Sequence, residues 1–226
     1  MPVARHHEHS FDIDLIARGE WVLDVGCRGF ALPLDLCAHG ANVLAVDADP
    51  SVRPPTGIRW SAGVEPGLLR FVHAAVMEQE IAVNRKETTL HLHPTDQQAH
   101  TVIRPRGGQS IRVPTASLNG LRAMVPGLEQ FALLKLDCEG AEYRLMLECA
   151  WHAKCGKPIA RQISVEYHDH CGLNPDPDME RWYRNRLHPA LSEFYEITKH
   201  VREVPPWGGS PHYVDSLYTL KREFWR

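Results

Sequence analysis

Two short apolar runs, each ending in an acidic residue and a glycine, constrain the possible folds of this chain most strongly. The first is Trp-Val-Leu-Asp-Val-Gly-Cys-Arg-Gly at 21–29, and the second is Leu-Leu-Lys-Leu-Asp-Cys-Glu-Gly-Ala-Glu at 133–142. Nearly continuous apolar runs of this length are typical of parallel strands that are buried on both faces. Because such strands present binding loops at their carboxyl ends, the two segments predict a site at one sheet edge.

The rest of the chain alternates between strand and helix patterns. It predicts an α/β fold that is Rossmann-like and doubly wound, with a mostly parallel seven-stranded sheet. Predicted strands cover residues 21–27, 42–47, 70–77, 132–137, 161–167, 195–201 and 213–220, with a weaker strand at 58–61. Predicted helices cover residues 30–39, 118–125, 141–153 and 175–194. The last two strands are joined by a loop without a helix, which predicts a C-terminal antiparallel hairpin. This ending is typical of class I methyltransferases.

Residues 80–115 differ from the alternating pattern. Segments 88–93 and 110–114 show period-two alternation on either side of a Gly107-Gly108 turn, which predicts a small β excursion attached to the parallel sheet. The pattern indicates no linker, so we expect one domain over residues 1–226, with 1–19 as an N-terminal extension. We expect His6, His7 and His9 of that extension to be mobile surface groups.

Composition narrows the possible partners and the compartment. The formal net charge is −3, which gives no global attraction to nucleic acid or anionic lipid. No apolar run approaches the roughly 20 residues of a membrane span, and the N-terminus lacks a signal-peptide core. The six cysteines form no C-x-x-C pair, so we expect reduced thiols and a cytoplasmic location. A homo-oligomer stays open, because an edge strand in 85–115 could pair between chains or be covered.

The turn after the first strand indicates the class of cofactor. A dinucleotide site needs G-x-G-x-x-G, but Arg28 occupies the position of the second glycine. Asp24 precedes Gly26 by two residues, and a carboxylate there disfavours phosphates and suits a cation. Asp47, at the end of the second strand, is placed to accept hydrogen bonds from ribose hydroxyls. S-adenosylmethionine carries a sulfonium and an ammonium group and no phosphate, so we predict it as the cofactor. The predicted cofactor residues are Asp24, Gly26, Cys27, Arg28, Gly29, Asp47, Ala48, His73, Ala74 and Asp137.

On these residues the chain resembles the FkbM-like family of class I S-adenosylmethionine-dependent methyltransferases. The resemblance spans about residues 20–170 and is most specific in Lys-Leu-Asp-Cys-Glu-Gly-Ala-Glu at 135–142. Supporting matches are Leu-Asp-Val-Gly at 23–26 with Gly29, Asp47, Val-Pro-Thr-Ala-Ser-Leu at 113–118, and Ser-Val-Glu-Tyr-His at 164–168. The resemblance implies O-methylation of a small-molecule or sugar hydroxyl. The chain departs from the family where Cys27-Arg28 replaces alanine-asparagine, where Asn119 replaces an acid and where Asp47-Ala48 replaces Glu-Pro.

The second segment supplies the predicted catalytic residues. A hydroxyl acceptor must lose its proton as the new bond forms, so a base or a metal ion is needed. Asp137 and Glu139 lie where the strand meets its loop, and we predict His168 as the general base. Lys135 either takes part in the site or only caps the sheet, and Glu142 either joins the site or only favours the helix dipole.

Further residues are predicted to face the substrate. Glu166 and His170 alternate with His168 along the fifth strand, so all three share one face if the strand continues that far. Trp207 and His212 lie in the 202–212 loop, which forms either part of a substrate wall or an ordinary surface turn. Asp137, Glu139, His168 and His170 could hold a divalent ion, but no spacing fixes a geometry, so we assign no metal.

The sequence therefore predicts an S-adenosylmethionine-dependent methyltransferase that acts on a hydroxyl of a small molecule. Three alternatives stay open at this point. The acceptor atom could be nitrogen, which needs only to be neutral. The altered Cys27-Arg28 and Asp47-Ala48 positions would also suit a methyltransferase-shaped binding module without turnover. A nicotinamide-dependent oxidoreductase is disfavoured by the glycine pattern.

Overall fold

The computed structural model describes residues 4–6, 9–93, 100–102, 108–168, 183–203 and 213–225. Its strands, in chain order, are β1 (Ala4–His6), β2 (His9–Phe11), β3 (Trp21–Val25), β4 (Asn42–Asp47), β5 (Leu69–His73), β6 (Ala75–Val76), β7 (Glu87–His91), β8 (Ser110–Ala116), β9 (Phe131–Leu136), β10 (Ala160–His168), β11 (Tyr195–Glu203) and β12 (Tyr213–Leu220). Its α-helices are α1 (Ala31–His39), α2 (Gln79–Asn84), α3 (Leu118–Ala123), α4 (Glu142–Lys154) and α5 (His188–Ser192).

A seven-stranded sheet forms the centre of the molecule, in the order β11-β12-β10-β9-β3-β4-β5. Strands β5, β4, β3, β9 and β10 run parallel to one another, and β12 is antiparallel to both β10 and β11. This arrangement confirms the predicted α/β fold with a C-terminal antiparallel hairpin. The carboxyl ends of β3, β4 and β9 therefore meet at one edge, where the two key sequence segments end.

Both faces of this sheet are covered, which explains why its central strands are apolar throughout. On β3, Val22 belongs to one hydrophobic cluster and its neighbour Leu23 belongs to the other. The predicted helix boundaries also have local causes. Gly40 ends α1 in the left-handed region at φ 99°, and the Ser117 side chain accepts a hydrogen bond from the Gly120 amide at the start of α3. None of the helices in the described ranges has the length and apolar character needed to cross a membrane.

The β excursion exists, with shifted boundaries. Strands β6, β8 and β7 form a separate three-stranded sheet in that order. The predicted strand 70–77 is split, because β5 pairs with β4 whereas β6 leaves the main sheet to pair with β8. The predicted strand at 58–61 is wrong: β5 already occupies the edge beside β4, and Ile58 and Arg59 are exposed instead. Gly107 and residues 175–182 of the predicted helix lie outside the described residues, whereas 183–187 form a π-helical turn that leads into α5.

The N-terminal extension packs against the sheet. Strand β2 contacts β10 and β12, and the Ser10 hydroxyl donates to Asp215 Oδ2 at 3.1 Å. The buried Gln162 side chain accepts from the Asp12 amide at 2.7 Å and donates to the Asp12 carbonyl at 2.9 Å. The expectation of a mobile surface position is therefore wrong for His9, which is only 7% exposed.

The two hydrogen bonds between the Gln162 side chain and the Asp12 backbone, which we call the Gln162 clamp, can be tested by substitution. We expect Gln162→Ala to lower the free energy of unfolding by about 1–3 kcal/mol, because the Asp12 amide and carbonyl lose their buried partner. Amide hydrogen exchange over residues 9–16 should accelerate more than exchange in β9. Gln109→Ala, at an exposed position, is the matched control and should change neither quantity. Unchanged exchange over 9–16 in Gln162→Ala would show that the clamp does not hold the extension.

Candidate functional site

The turn after β3 lies directly against the end of β9. Gly26 adopts φ 81°, and a Cβ at this position would lie 1.7 Å from the Asp137 carbonyl oxygen. Glycine is therefore required by this close approach as well as by its backbone conformation. A Cβ at Gly29, in contrast, would meet no heavy atom within 4 Å, so this end of the turn borders open space. Cys27 is buried, and burial raises the pKa of its thiol, which makes it a neutral packing group.

Beside this turn, the end of β4 forms a polar corner. Asp47 Oδ2 accepts a hydrogen bond from the Arg28 amide at 3.0 Å, and Oδ1 accepts from the Asp49 amide at 2.8 Å. Burial raises the pKa of Asp47, although these two amides oppose the shift. His73 Nε2 lies 2.8 Å from the Ala48 carbonyl oxygen. The ends of β3, β4 and β5 thus bring together several predicted cofactor residues: Gly26, Cys27, Arg28, Asp47, Ala48, His73 and Ala74.

Lys135 links β3 to β9 beneath the turn. This lysine is 4% exposed, and its Nζ lies 3.2 Å from both Asp24 Oδ1 and Asp137 Oδ2. The same ammonium group donates to the Gly26 carbonyl at 2.8 Å. Burial alone would lower the pKa of Lys135, but Asp137 and Asp24 outweigh burial and raise it. Lys135 therefore joins the ends of β3 and β9 by ion pairs, and its partner Asp24 is 1% exposed.

Four side chains at the carboxyl ends of β9 and β10 form what we call the carboxylate–histidine cluster: Asp137, Glu139, Glu142 and His168. His168 Nδ1 lies 3.0 Å from Glu142 Oε1, which also accepts from the Cys138 amide at 2.7 Å. His168 Nε2 lies 3.6 Å from Asp137 Oδ1 and 3.6 Å from Glu139 Oε1. One ring thus contacts three carboxylates from the β9–α4 segment.

The charges in this cluster determine its protonation. Burial would lower the pKa of His168, but Glu142, followed by Glu139 and Asp137, raises it to about 10. Burial would raise the pKa of Asp137, but Lys135, His9 and His168 hold it below its usual range. Without a further cation, the ring is therefore an imidazolium at neutral pH and Asp137 is a carboxylate.

Residues far away in sequence complete this edge. His9 Nε2 lies 3.4 Å from Asp137 Oδ2, and His9, Asp137 and Glu166 bring ligand-type atoms within 4.8 Å of one another. From the β excursion, the Thr101 hydroxyl donates to the Glu139 carbonyl at 3.0 Å, and His100 lies 3.5 Å from Asp49 Oδ2. The excursion therefore contacts both the polar corner and the loop of the cluster.

The structure places most of the predicted site residues together. Strand β10 continues to His168, so Glu166 and His168 both reach Asp137, as their alternation predicts. His170, Trp207 and His212 lie outside the described residues. Sequence reasoning missed His9 and undervalued Lys135 and Glu142. A signal existed for Lys135, because a lysine within an apolar strand is almost never buried without a partner.

Comparisons with known proteins agree with this geometry. The sequence matches the methyltransferase FkbM domain over residues 27–190. The chain belongs to the FkbM methyltransferase family. This confirms the prediction of an S-adenosylmethionine-dependent methyltransferase, with S-adenosylmethionine as the cofactor. No curated protein sequence matches the chain.

Several methyltransferases of low sequence identity are among the solved structures similar to this FkbM-family chain. The 16S rRNA methyltransferase KamB is 15% identical at a TM-score of 0.47, covering 94% of this chain and 96% of its own. Human methyltransferase-like protein 13 in complex with SAH is 10% identical at a TM-score of 0.48, and the alignment covers 93% of this chain and 79% of that protein. A TehB-like SAM-dependent methyltransferase from Corynebacterium glutamicum is 12% identical at a TM-score of 0.40, and the alignment covers 92% of this chain and 84% of that protein.

The position of Lys135 generates a stability prediction for this FkbM-family chain. We expect Lys135→Met to lower the free energy of unfolding by about 3–5 kcal/mol, because it removes the buried ammonium group that compensates Asp24 and part of the charge of Asp137. The triple variant Lys135→Met/Asp24→Asn/Asp137→Asn removes all three charges and should recover part of this loss. Denaturant unfolding measures both values. A Lys135→Met variant as stable as wild type would refute the importance of the buried ion pairs.

The cluster also generates a pH prediction. In chelator-treated protein, we expect the His168 ring to lose its proton only as the pH rises through about 10, as measured by NMR titration. This pKa is raised from its ordinary value of 6.5. The ion pairs of the protonated ring therefore contribute their full stabilisation of the fold below pH 6.5, and this stabilisation is lost as the pH rises through about 10. Glu142→Gln removes the nearest carboxylate and should lower the pKa of His168. Titration of wild-type His168 near its ordinary pKa would contradict the ion pairing.

Proposed function

We propose that this chain transfers a methyl group from S-adenosylmethionine to a hydroxyl oxygen of a small molecule or sugar. The observation that carries this proposal is the carboxylate–histidine cluster at the same sheet edge as the glycine turn. Methyl transfer needs donor and acceptor held in line about 3–3.5 Å apart, and a hydroxyl acceptor also needs a group that takes its proton. An edge with a cofactor turn on one side and carboxylates on the other meets both needs.

The residues at the ends of β3, β4 and β5 would bind this methyl donor. The open space beside Gly29 leaves room next to the turn, and the carboxylate of Asp47 suits two ribose hydroxyls. Ala48, His73 and Ala74 would border the adenine. Asp24 would act through Lys135, because its carboxylate is buried against that ammonium group. The acidic character of the edge suits a positively charged donor and disfavours phosphates.

When bound, S-adenosylmethionine supplies a methyl group on a positively charged sulfur. The acceptor oxygen forms the new bond to the methyl carbon, the carbon–sulfur bond breaks with its electron pair moving to sulfur, and the hydroxyl proton leaves. We assign Glu139 as the group that receives this proton. Both carboxylates are partly exposed and contact His168, but that of Asp137 also contacts Lys135, which lowers the pKa of Asp137 and makes it the weaker base. Asp137 would hold the hydroxyl by a hydrogen bond.

His168 takes a different part in this proposal from the general base that the sequence predicts. Its surrounding carboxylates favour the protonated ring, and a protonated ring cannot accept the hydroxyl proton. The ring would instead orient Asp137 and Glu139, while Glu142 fixes the ring through Nδ1. Glu166 and His9, on the other side of Asp137, would face the acceptor.

An assay of methyl transfer tests the proposal directly. The protein is incubated with S-adenosylmethionine carrying a ¹³C-methyl group and a panel of hydroxylated small molecules, each paired with its amine analogue. We expect O-methyl products by NMR, and we expect Glu139→Gln to lower kcat/KM by about 10²-fold or more, because the proton acceptor is lost. Asp14→Asn, at an exposed position, is the matched control and should leave kcat/KM unchanged.

Two results would contradict the proposal in different ways. Products methylated only on nitrogen would show that the acceptor class is wrong while the enzyme is active. Calorimetry without any heat of binding for S-adenosylmethionine or its demethylated product would favour a binding module without turnover. Thermal unfolding of Glu139→Gln, with a Tm well above the assay temperature, separates a chemical defect from a folding defect.

A further inference from the structure

We propose that Asp137, Glu139 and His168 form a binding site for a divalent metal ion such as Mn²⁺. The three side chains offer two carboxylate oxygens and one imidazole nitrogen, and their ligand atoms all lie within 4.8 Å of one another. Carboxylate oxygens suit Mg²⁺ and Mn²⁺, and imidazole is a common ligand of divalent transition metals. The donor set therefore selects a divalent ion that accepts both oxygen and nitrogen.

The two separations that involve His168 fit ligands of one ion. Two ligand atoms that are each about 2.1 Å from an ion and about 90–120° apart lie about 3.0–3.6 Å from each other. His168 Nε2 lies 3.6 Å from Asp137 Oδ1 and 3.6 Å from Glu139 Oε1. An ion between them would need only small side-chain movements.

Glu142 supplies the outer contact that metal-binding histidines require. A histidine ligand usually donates its second ring N–H to a carboxylate, which fixes the tautomer and turns the other nitrogen to the metal. His168 Nδ1 lies 3.0 Å from Glu142 Oε1, and so its Nε2 is the nitrogen that faces Asp137 and Glu139. The His168 side chain is 3% exposed, which holds the ring in this orientation.

Charge around the cluster also favours a cation. The ammonium group of Lys135 is divided between Asp24 and Asp137, so it does not fully neutralise either carboxylate. Glu142 is 0% exposed, and its Oε2 has no hydrogen-bond partner among the residues that the structure describes. Buried carboxylates are normally paired or held near metal ions. An ion bound to His168 Nε2 would take the place of its proton and add positive charge beside these groups.

The consequence for methyl transfer rests on the proposed function, whereas binding of the ion does not. A divalent ion with open positions can take a hydroxyl oxygen as a further ligand and lower its pKa, which assists loss of the proton. The open positions would face the acceptor side of the sheet edge, because Asp137 and Glu139 are the partly exposed members of the cluster.

Mn²⁺ binding to chelator-stripped protein, measured by electron paramagnetic resonance without cofactor or acceptor, tests the site. We expect one saturable site in wild type. Glu139→Gln should weaken Mn²⁺ binding by about 10-fold or more through loss of a ligand. Glu142→Gln, which changes only the outer contact, should weaken it by about 10–100-fold. Thermal unfolding of each variant, with a Tm well above the assay temperature, shows that the loss is not a folding defect.

Two control variants separate this site from other histidines. His91→Gln, on β7 of the separate small sheet, should leave Mn²⁺ affinity unchanged. The double variant His6→Gln/His7→Gln should also bind normally, which excludes adventitious binding by the N-terminal histidines. Absence of saturable Mn²⁺ binding in folded wild type would overturn the proposal. The proposal would also be overturned if Glu166→Gln lost Mn²⁺ binding while Glu139→Gln kept it. The ion would then lie between His9 and Glu166.

The two proposals fail separately. If Mn²⁺ binds at this site but no acceptor is methylated in its presence, the metal site stands and the proposed reaction is wrong. If methyl transfer proceeds equally in wild type with chelator and with added Mn²⁺, and no saturable binding is found, the reaction stands and the metal site is refuted.

Discussion

The buried ammonium group of Lys135 is the interaction on which the rest of this sheet edge depends. It joins Asp24 on β3 to Asp137 at the end of β9 and donates to the carbonyl of Gly26 between them. A charge removed from water must be compensated by nearby groups, so these two strand ends have a single favourable arrangement. The contact between Gly26 and the Asp137 carbonyl reinforces it, because only glycine fits there.

From this fixed edge the site extends in two directions. On one side, the turn after β3 and the ends of β4 and β5 form the polar corner around Asp47. On the other side, the loop after β9 and the end of β10 form the carboxylate–histidine cluster. Asp137 belongs to the cluster and also contacts Lys135, so one carboxylate links the charges of the cluster to the ammonium group beneath the β3 turn.

Membership of the FkbM methyltransferase family and the geometry of the site support each other. The family match begins at Cys27 in the turn after β3 and includes the whole cluster, and the strand order agrees with the class I sheet. The proposed proton removal and the proposed metal site both involve Glu139, which is partly exposed at the edge, whereas the buried Glu142 contacts His168. The same cluster could thus orient an acceptor with or without an ion, and the experiments distinguish these cases.

The sequence by itself determined the elements that depend on local pattern. The apolar run that ends in Asp24 and Gly26 specified a buried parallel strand and its turn, and Asp47, Asp137 and His168 were located at strand ends from the same kind of signal. Strand boundaries were less certain where tertiary pairing decides them. The 58–61 segment has strand-like residues, but β5 holds the position beside β4, and 58–61 forms no strand.

Only the tertiary structure decided which charges compensate one another. His9 lies 128 positions before Asp137 in the sequence and reaches it because Gln162 and β2 hold the extension against β10. Glu142 has an ordinary position in the first turn of α4, and its contact with His168 follows from the packing of α4 beside β10. Ion pairing depends on distance and on exclusion of water, and neither quantity is written in the local order of residues.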